Sequence, residues 1–294
     1  MGNRRTIRRF RAIISLVLAI PAFNFSQSEY QIISIPNSII SLASHNGFDA
    51  LKKNSHFHTN LESIVSNDKS FSLLCFPAQI NFLNYSNDNF NISILDYGIF
   101  QDQIDNEILN QFTSYEVMAK INFQNSIRSL LNIEYSIGGL YSKIDNYNSS
   151  ILISDLKIHN QINNYNISFS LKNIGIILDD YTNRATKIPL KSQFSIIKSN
   201  KNNTSYFGYD MVYHFNFNNI EHIICFYTNI SDNIDITFSG SSYSKQLRLD
   251  DFNDDLLYGI GFGINIKTKY NNKIDIGMSS LGSAGSIYGL TYNF

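Results

Sequence analysis

The chain has 294 residues, of which 43% are hydrophobic, and its formal charge is −1. The mean hydropathy is −0.14, which argues against a bundle of transmembrane helices, because each such helix needs about 20 apolar residues. Removal of the leader described below takes away five arginines and no acid, so the charge becomes −6. We therefore expect no nucleic-acid partner, since nucleic-acid binding requires a basic surface.

The first 27 residues have the pattern of a signal peptide. Arginines within residues 4–11 form a basic region, residues 12–22 form a short apolar core, and residues 24–27 offer small side chains for cleavage. The apolar core is too short for a comfortable membrane span of about 20 residues, so a signal anchor is the less favoured alternative. We predict that segment 1–27 is removed on export.

Residues 28–70 lack a regular alternation of side chains. We predict that they form a plug or periplasmic segment, because the lumen of a barrel of this size must be filled. His56 and His58 would share one face of an extended segment, but a metal site needs further oriented ligands. We interpret both histidines as polar plug residues and expect neither a metal nor a cofactor.

Apolar side chains recur at every second position from about residue 71 to the end of the chain. The clearest example is Tyr258–Lys267, where large apolar residues alternate with Gly259, Gly261 and Gly263. Successive side chains of a strand point to opposite faces, so each segment has one apolar and one polar face. The pattern predicts an all-β fold, a transmembrane antiparallel β-barrel of about 14 strands over residues 71–294. A large soluble β-sandwich or a solenoid is the alternative.

Charged residues fall on the polar faces of these segments. A charge turned toward lipid costs roughly 2–4 kcal/mol at the membrane midplane, so we expect these side chains to face the lumen. The candidates are Glu116, Lys120, Glu134, Lys172, Asp235, Lys267 and Asp275. They would line a polar path or form a satisfied hydrogen-bond network.

Gly259, Gly261 and Gly263 lie within a strand pattern that no helix follows, so they do not form a dinucleotide-binding loop. We predict that inward-facing glycines make room for a plug or a curved wall. Cys75 and Cys225 are expected to be separate thiols. No serine lies in a Gly-x-Ser-x-Gly motif, and we do not expect an enzyme.

The final segment, residues 287–294, places Tyr288, Leu290, Tyr292 and the terminal Phe294 on one face. A terminal aromatic on such a strand resembles the signal read by the machinery that inserts β-barrels into bacterial outer membranes. We therefore predict an outer-membrane location, with lipid as the permanent partner and the barrel assembly machinery as a transient one.

Three sequence blocks resemble the PorV/PorQ family of outer-membrane proteins, some of which serve the type IX secretion system. The blocks are residues 35–43 (IPNSIISLA), residues 95–116 beginning LDYGIF, and residues 171–190 beginning LKNIG. Two features of the family are absent. Ser44 and His45 replace a glycine pair, and residues 55–65 lack the expected Asn-Pro-Ala turn.

The resemblance implies a 14-stranded barrel like that of FadL-type transporters, and a role in secretion or surface attachment of cargo through protein partners. Residues 101–111 and 245–255 are the predicted extracellular contact loops. One alternative is a FadL-like passive transporter of small hydrophobic molecules, with a weak spot in the wall at the Gly259–Gly263 face or at the Gly138-Gly139 pair. A purely structural barrel is the other.

Overall fold

Alternating apolar and polar side chains produce fourteen β-strands in the described part of the chain. They are β1 Lys69–Cys75, β2 Asn81–Asn87, β3 Phe90–Ile104, β4 Glu107–Ile127, β5 Leu131–Ile144, β6 Tyr147–Ile162, β7 Tyr165–Asp179, β8 Lys191–Ser199, β9 Ser205–His214, β10 Asn219–Ser231, β11 Ile234–Ser241, β12 Ile260–Lys267, β13 Lys273–Ser280 and β14 Ser286–Asn293. A single 3-10 turn, Ile32–Ser34, and one short helix, α1 Ile39–Ala43, precede them.

These bounds come from a computed structural model. The structure describes residues 30–49, 69–104, 107–127, 131–181, 187–200, 202, 204–242, 259–268, 272–281 and 285–294. The predicted signal peptide, the His56/His58 pair and the predicted loop 245–255 lie outside the described residues. No helix within these ranges is long and apolar enough to cross a membrane.

Each strand pairs antiparallel with the next, and β14 returns to pair with β1, so the sheet closes into a barrel. In the closing pair, Phe71 lies opposite Tyr292 and Leu73 lies opposite Leu290. A closed ring satisfies the backbone hydrogen bonds of every strand within the sheet, which hydrocarbon requires. The prediction of an all-β, 14-stranded antiparallel barrel is confirmed, and the sandwich alternative is excluded.

The two faces of the wall differ in polarity. Strand β1 alternates between exposed and buried residues along its whole length, and Phe71 is 45% exposed while Ser72 is fully buried. The same alternation continues around the ring. Large apolar side chains exposed on the outside include Leu73, Leu83, Ile92, Ile94, Ile121, Ile137, Leu152, Phe194, Phe207, Ile224, Phe226, Phe238, Phe262, Ile276 and Leu290.

The two ends of the barrel differ in their connections. Lys69 and Phe294 lie at the end that carries the short connections 88–89, 163–164 and 232–233. The opposite end carries the longer connections 180–190 and 242–259. Bacterial barrels have short periplasmic turns and longer extracellular loops, so we call the first end periplasmic and the second extracellular.

One wall of the barrel is taller than the rest. Strands β3 to β7 contain 14 to 21 residues, whereas β12, β13 and β14 contain 8 residues each. Strand β3 pairs with β2 only as far as Asp96, and β4 pairs with β5 only from Ser114 onward. Beyond those positions β3 and β4 pair only with each other.

This two-stranded extension, which we call the β3–β4 hairpin, corrects the prediction that residues 101–111 form a loop. Its residues mix polar side chains with Ile99, Phe100 and Phe112 and do not alternate strictly. The periodicity used for the membrane strands therefore could not detect it.

Candidate functional site

The lumen holds the amino-terminal residues 30–49, which we call the plug. Its polar contacts reach strands on different sides of the barrel. The Tyr30 hydroxyl contacts Ser149 on β6 at 2.6 Å, and the Ile39 N–H donates to the Thr291 hydroxyl on β14 at 2.9 Å. Because these contacts surround it, the plug is fixed across the lumen.

The first turn of the plug is held by Glu116 on β4. The carboxylate of Glu116 accepts hydrogen bonds from the Ile32 N–H at 2.8 Å and from the Tyr97 hydroxyl at 3.0 Å. Glu116 is only 2% exposed. A buried polar group needs hydrogen-bond partners to offset the loss of water, and two of the partners of Glu116 here are an N–H of the plug and the Tyr97 hydroxyl, so this predicted lumen residue anchors the plug backbone.

Helix α1 rests against the glycine face of β12. Ser38 caps the helix by accepting from the Ser41 N–H, as N-cap serines do. A Cβ added at Gly261 would lie 2.8 Å from the Ala43 carbonyl carbon, and one at Gly263 would lie 2.9 Å from the Ala43 Cβ. The glycines therefore provide the space in which the plug helix lies.

The glycine stretches do not open the wall. Strand β12 pairs continuously with β11 and β13, and β4 pairs with β5 without a register shift through Gly138 and Gly139. The prediction of a weak spot at either place is wrong, because the strand pairing is continuous there. At Gly138, Gly261 and Gly263 an added Cβ would also collide with the neighbouring strand or the plug. Register shifts occur instead at Asp96/Ile99 in β3 and at Ser154/Leu156 where β6 pairs with β7.

His45 joins the plug to β11 and β13. Its Nδ1 lies 2.7 Å from the Ser239 hydroxyl and its Nε2 lies 3.3 Å from the Ser279 hydroxyl. Because Ser239 donates its own proton to the Ala43 carbonyl, the neutral imidazole donates from Nδ1 and accepts at Nε2. Burial lowers the pKa of His45, and the charge of Glu221 partly offsets this effect.

Asp49 anchors the carboxyl-terminal end of the plug. Its carboxylate accepts from the Lys172 ammonium at 2.8 Å, from the Ser170 hydroxyl at 3.1 Å and from the Ser168 hydroxyl at 3.4 Å. Burial alone would raise the pKa of Asp49, but the charges of Lys172 and Lys157 and the hydrogen bonds lower it to about 2. Asp49 is therefore ionised at neutral pH.

Phe48 packs into a small apolar cluster beside this anchor, on the periplasmic side of the lumen. The cluster consists of Ile40, Phe48, Ile197, Tyr206, Cys225 and Tyr227. A Cβ added at Gly47 would lie 2.9 Å from the Cys225 sulfur. Cys225 is buried, Cys75 is exposed on the outside, and both are free thiols, as predicted.

One side of the extracellular half of the lumen, along strands β1 to β6 and β14, is apolar. We call this region the apolar chamber, and it is formed by inward-facing wall residues and filled by Tyr30, Ile32, Ile39 and Leu42 of the plug. The wall residues are Leu74, Phe82, Leu95, Met118, Leu140, Ile151, Ile153 and Ile287, each no more than 6% exposed. Tyr181 and Ile188, from the connection 180–190, pack against it from the extracellular side.

Open space with a largely polar lining adjoins the plug. Three cavities of about 480, 260 and 220 Å³ surround the plug, and Asn37 and Asp155 line all three. The largest also touches Asp88 and Asn89, which form the periplasmic β2–β3 turn. A polar path therefore leads from the periplasmic end of the barrel to the plug.

The other predicted lumen residues take part in ion pairs or hydrogen-bond networks. Lys120 pairs with Asp155 at 2.7 Å, and Glu134 with Lys157 at 3.2 Å. Lys267 lies 3.5 Å from Asp235. Asp275 accepts hydrogen bonds from Asn265 and from Asn293. Among the described residues, no group of three or more ligating side chains is placed to hold a metal ion.

Sequence reasoning missed Asp155, which lies at the junction of the cavities. It sits at the Ser154/Leu156 register shift, where an extra residue interrupts the alternation of faces. Its carboxylate accepts from Lys120, from Ser136 and from the Asn173 N–H. Since period-two alternation assigns faces only within regular strands, a bulge residue gives no signal in the sequence.

The closed ring, the apolar exterior and the charged lumen together define an outer-membrane β-barrel. Single-chain barrels with an even number of antiparallel strands span the bacterial outer membrane, and this is where the protein resides. Tyr288, Leu290, Tyr292 and Phe294 lie on the outer face of the last strand. Their role as an insertion signal stays a prediction.

The sequence matches no family model and no curated protein. Several solved outer-membrane barrels share the general fold. The Pseudomonas putida toluene transporter TodX matches with a TM-score of 0.47 at 10% identity, over 91% of this chain and 96% of that chain. A Pseudomonas aeruginosa FadL homologue matches with a TM-score of 0.43 at 7% identity, over 88% and 97%. The Acinetobacter baumannii outer membrane protein Omp33 matches with a TM-score of 0.43 at 8% identity, over 76% of this chain and 94% of that chain. At these scores, no ligand or role follows from the likeness.

Proposed function

We propose that the protein is a passive transporter of small apolar molecules across the outer membrane, closed by its own plug. The apolar chamber is the observation that carries this proposal. Barrels that conduct water-soluble solutes have a polar interior. Here eight inward-facing wall side chains, on strands β1 to β6 and β14, create an apolar region inside the barrel at its extracellular end.

An apolar pocket with a few polar groups is the usual form of a binding site for a small molecule. In this chamber the polar groups are Glu116 and the hydroxyl groups of Tyr97 and Ser149. Tyr30, Ile32, Ile39 and Leu42 of the plug now fill the space, and each is no more than 3% exposed. An apolar ligand that replaced them would recover much of the same buried area, at roughly 25 cal/mol per Å².

The plug is held to the wall by hydrogen bonds that are individually weak enough to break and re-form. Hydrogen bonds from Ile32, Ile39 and His45 to the wall each contribute about 1 kcal/mol, and those to charged groups about 1.5–3 kcal/mol. These values are small enough for the bound and released positions to interconvert when a ligand occupies the chamber. The polar cavities beside Asn37 then continue the path toward the periplasm.

Uptake of the apolar fluorophore N-phenyl-1-naphthylamine by intact cells tests this function. We expect cells that express the protein to take up the fluorophore faster than cells with an empty vector. Leu95→Gln places an amide of similar size in the chamber and should slow uptake several-fold. Gln161→Asn, at an exposed position of β6 that lines none of the three cavities, is the control and should leave uptake unchanged. Equal rates in all four strains would exclude transport of apolar molecules.

A second candidate function is the secretion or surface-attachment role suggested by the PorV/PorQ resemblance. The β3–β4 hairpin supports it, because the hairpin extends beyond the wall. There Ile99 is 67% exposed, and Phe100 stacks on Phe112 with ring centroids 5.2 Å apart. Exposed aromatic residues are common at protein interfaces. A deletion strain that exports and displays all of its surface proteins normally would remove this candidate.

A further inference from the structure

The Asp49 carboxylate of the plug accepts hydrogen bonds from three side chains of the barrel wall. Ser168, Ser170 and Lys172 alternate on the inner face of β7, and all three donate to this one carboxylate. Ser168 is 2% exposed and Ser170 is 1% exposed. A lysine and two hydroxyl groups that converge on one carboxylate have the composition of an anion-binding site.

The wall holds these donors in place. The Lys172 ammonium also donates to the Gln193 side-chain oxygen at 2.8 Å. The Gln193 amide donates to Asp210 at 2.9 Å and to the Asn46 carbonyl at 3.1 Å. Lys172 is therefore oriented by β8 and β9, independently of Asp49.

The site borders open space. The cavity of about 480 Å³ is lined by Asp49, Ser170 and Lys172, and it extends to Asp88 and Asn89 in the periplasmic turn. Lys157 lines the same cavity and acts on Asp49 through its charge. A small solute from the periplasmic side can therefore reach the donors without passing the apolar chamber.

We propose that Ser168, Ser170 and Lys172 form a binding site for a small carboxylate, which Asp49 occupies while the plug is seated. A carboxylate solute entering from the cavity takes the place of Asp49 and releases the carboxyl-terminal end of the plug. The exchange substitutes one singly charged carboxylate for another, so Lys172 remains paired throughout.

The surrounding charges restrict the ligand class. Glu134 and Asp155 line the cavity, and Asp155 and Asp210 also act on Lys172 through space. Of the two lysines that line the cavity, Lys157 is paired with Glu134 of the wall, so the single charge of Lys172 is left for a ligand. A singly charged carboxylate therefore fits the site better than a phosphate or a dicarboxylate.

Cys225 provides a native reporter of plug position. It is fully buried, and the plug residues Gly47 and Phe48 cover it. In a Cys75→Ser background, a maleimide reagent can label Cys225 in the folded barrel only after the plug has moved. The labelling rate therefore measures plug release without any transport assay, so a failure here is distinguishable from a failure of the proposed function.

The test compares sodium acetate with sodium chloride at equal ionic strength and pH, using purified protein in detergent. In the Cys75→Ser protein, acetate competes with Asp49 and should accelerate labelling of Cys225. Asp49→Ala in the same background should raise the labelling rate roughly tenfold or more, since each 1.4 kcal/mol of lost anchoring is tenfold. In that variant the donors are vacant whether the plug is seated or released, so acetate displaces nothing and should no longer accelerate labelling. The acetate effect is therefore lost together with the Asp49 carboxylate.

Two further variants complete the test. Lys172→Met in the Cys75→Ser background lacks the central donor and should also lose the acetate response. Lys267→Met breaks a lumen ion pair that does not involve Asp49 and should keep the response of the Cys75→Ser protein. If Asp49→Ala does not fold, Asp49→Asn replaces it, because the amide keeps the size without the charge. An acetate effect of the same sign with and without the Asp49 carboxylate, or no effect in either, would overturn the proposal.

Discussion

The packing of helix α1 against strand β12 gives a specific prediction, because it depends on the absence of a side chain at Gly261. In Gly261→Ala, the new Cβ would lie 2.7 Å from the Ser239 hydroxyl oxygen and 2.8 Å from the Ala43 carbonyl carbon. Carbon atoms in contact prefer separations of about 3.5–4.0 Å. The helix backbone must therefore move away from β12 by nearly 1 Å.

The size of the effect follows from this overlap. Overpacking of a close-fitting interior costs typically about 1–3 kcal/mol. If that energy acts only on the seated plug, the ratio of released to seated plug rises by about 5–150-fold. The barrel itself should be unaffected, because β12 keeps its pairing with β11 and β13.

The assay is the current through single barrels in a planar bilayer, together with the labelling rate of Cys225. Gly261→Ala should open more often and label faster than the unchanged protein. Gly240→Ala on the neighbouring strand β11 is the matched control, since its Cβ would meet no atom within 4 Å. If both variants behave like the unchanged protein, helix α1 does not rest on the glycine face as described.

Two further predictions concern the anchors and the chamber. Acidification should release the plug in two stages. Because the pKa of His45 is lowered, the seated plug is most stable above about pH 6.5 and becomes less stable below it. Because the pKa of Asp49 is lowered, its contribution to the stability of the seated plug is lost as the pH falls from 3.8 through about 2. Single-channel current against pH measures both stages, and His45→Gln should remove the first; a current independent of pH would contradict both assignments. Tyr30→Ala should enlarge the apolar chamber and raise uptake of N-phenyl-1-naphthylamine, because the fully buried ring no longer fills it; unchanged or slower uptake in a normally folded barrel would place the ligand elsewhere.

The barrel could be predicted from the sequence because contact with lipid requires a regular alternation of side chains in its strands. Every second side chain must be apolar, and a charge on the lipid-facing side is costly. Strands β12 and β14 could therefore be predicted from the alternation in the sequence. The same rule placed Glu116 and Lys172 on the polar faces, where the structure has them contacting the plug.

The position of the plug and its contacts could not be predicted from the sequence in the same way. Residues 30–49 form no strand and contact the wall on several sides, so neither Asp49 nor His45 stands out by periodicity. Asp155 lies at a bulge where the alternation breaks. The apolar chamber was also hidden, because Leu95 and Met118 are apolar residues on faces that otherwise carry polar ones. These features depend on three-dimensional proximity, which period-two patterns do not encode.

A reversible lock between plug and wall tests most directly whether the plug must move. Gly47→Cys in a Cys75→Ser background would place a thiol beside Cys225, since a Cβ at residue 47 lies 2.9 Å from that sulfur. Neighbouring cysteines in such close contact are able to form a disulfide.

We predict that oxidation of this variant stops uptake of N-phenyl-1-naphthylamine by intact cells and that a reducing agent restores it. The Cys75→Ser protein should respond to neither treatment. Uptake that continues at full rate while the disulfide is intact would contradict a passage closed by residues 30–49.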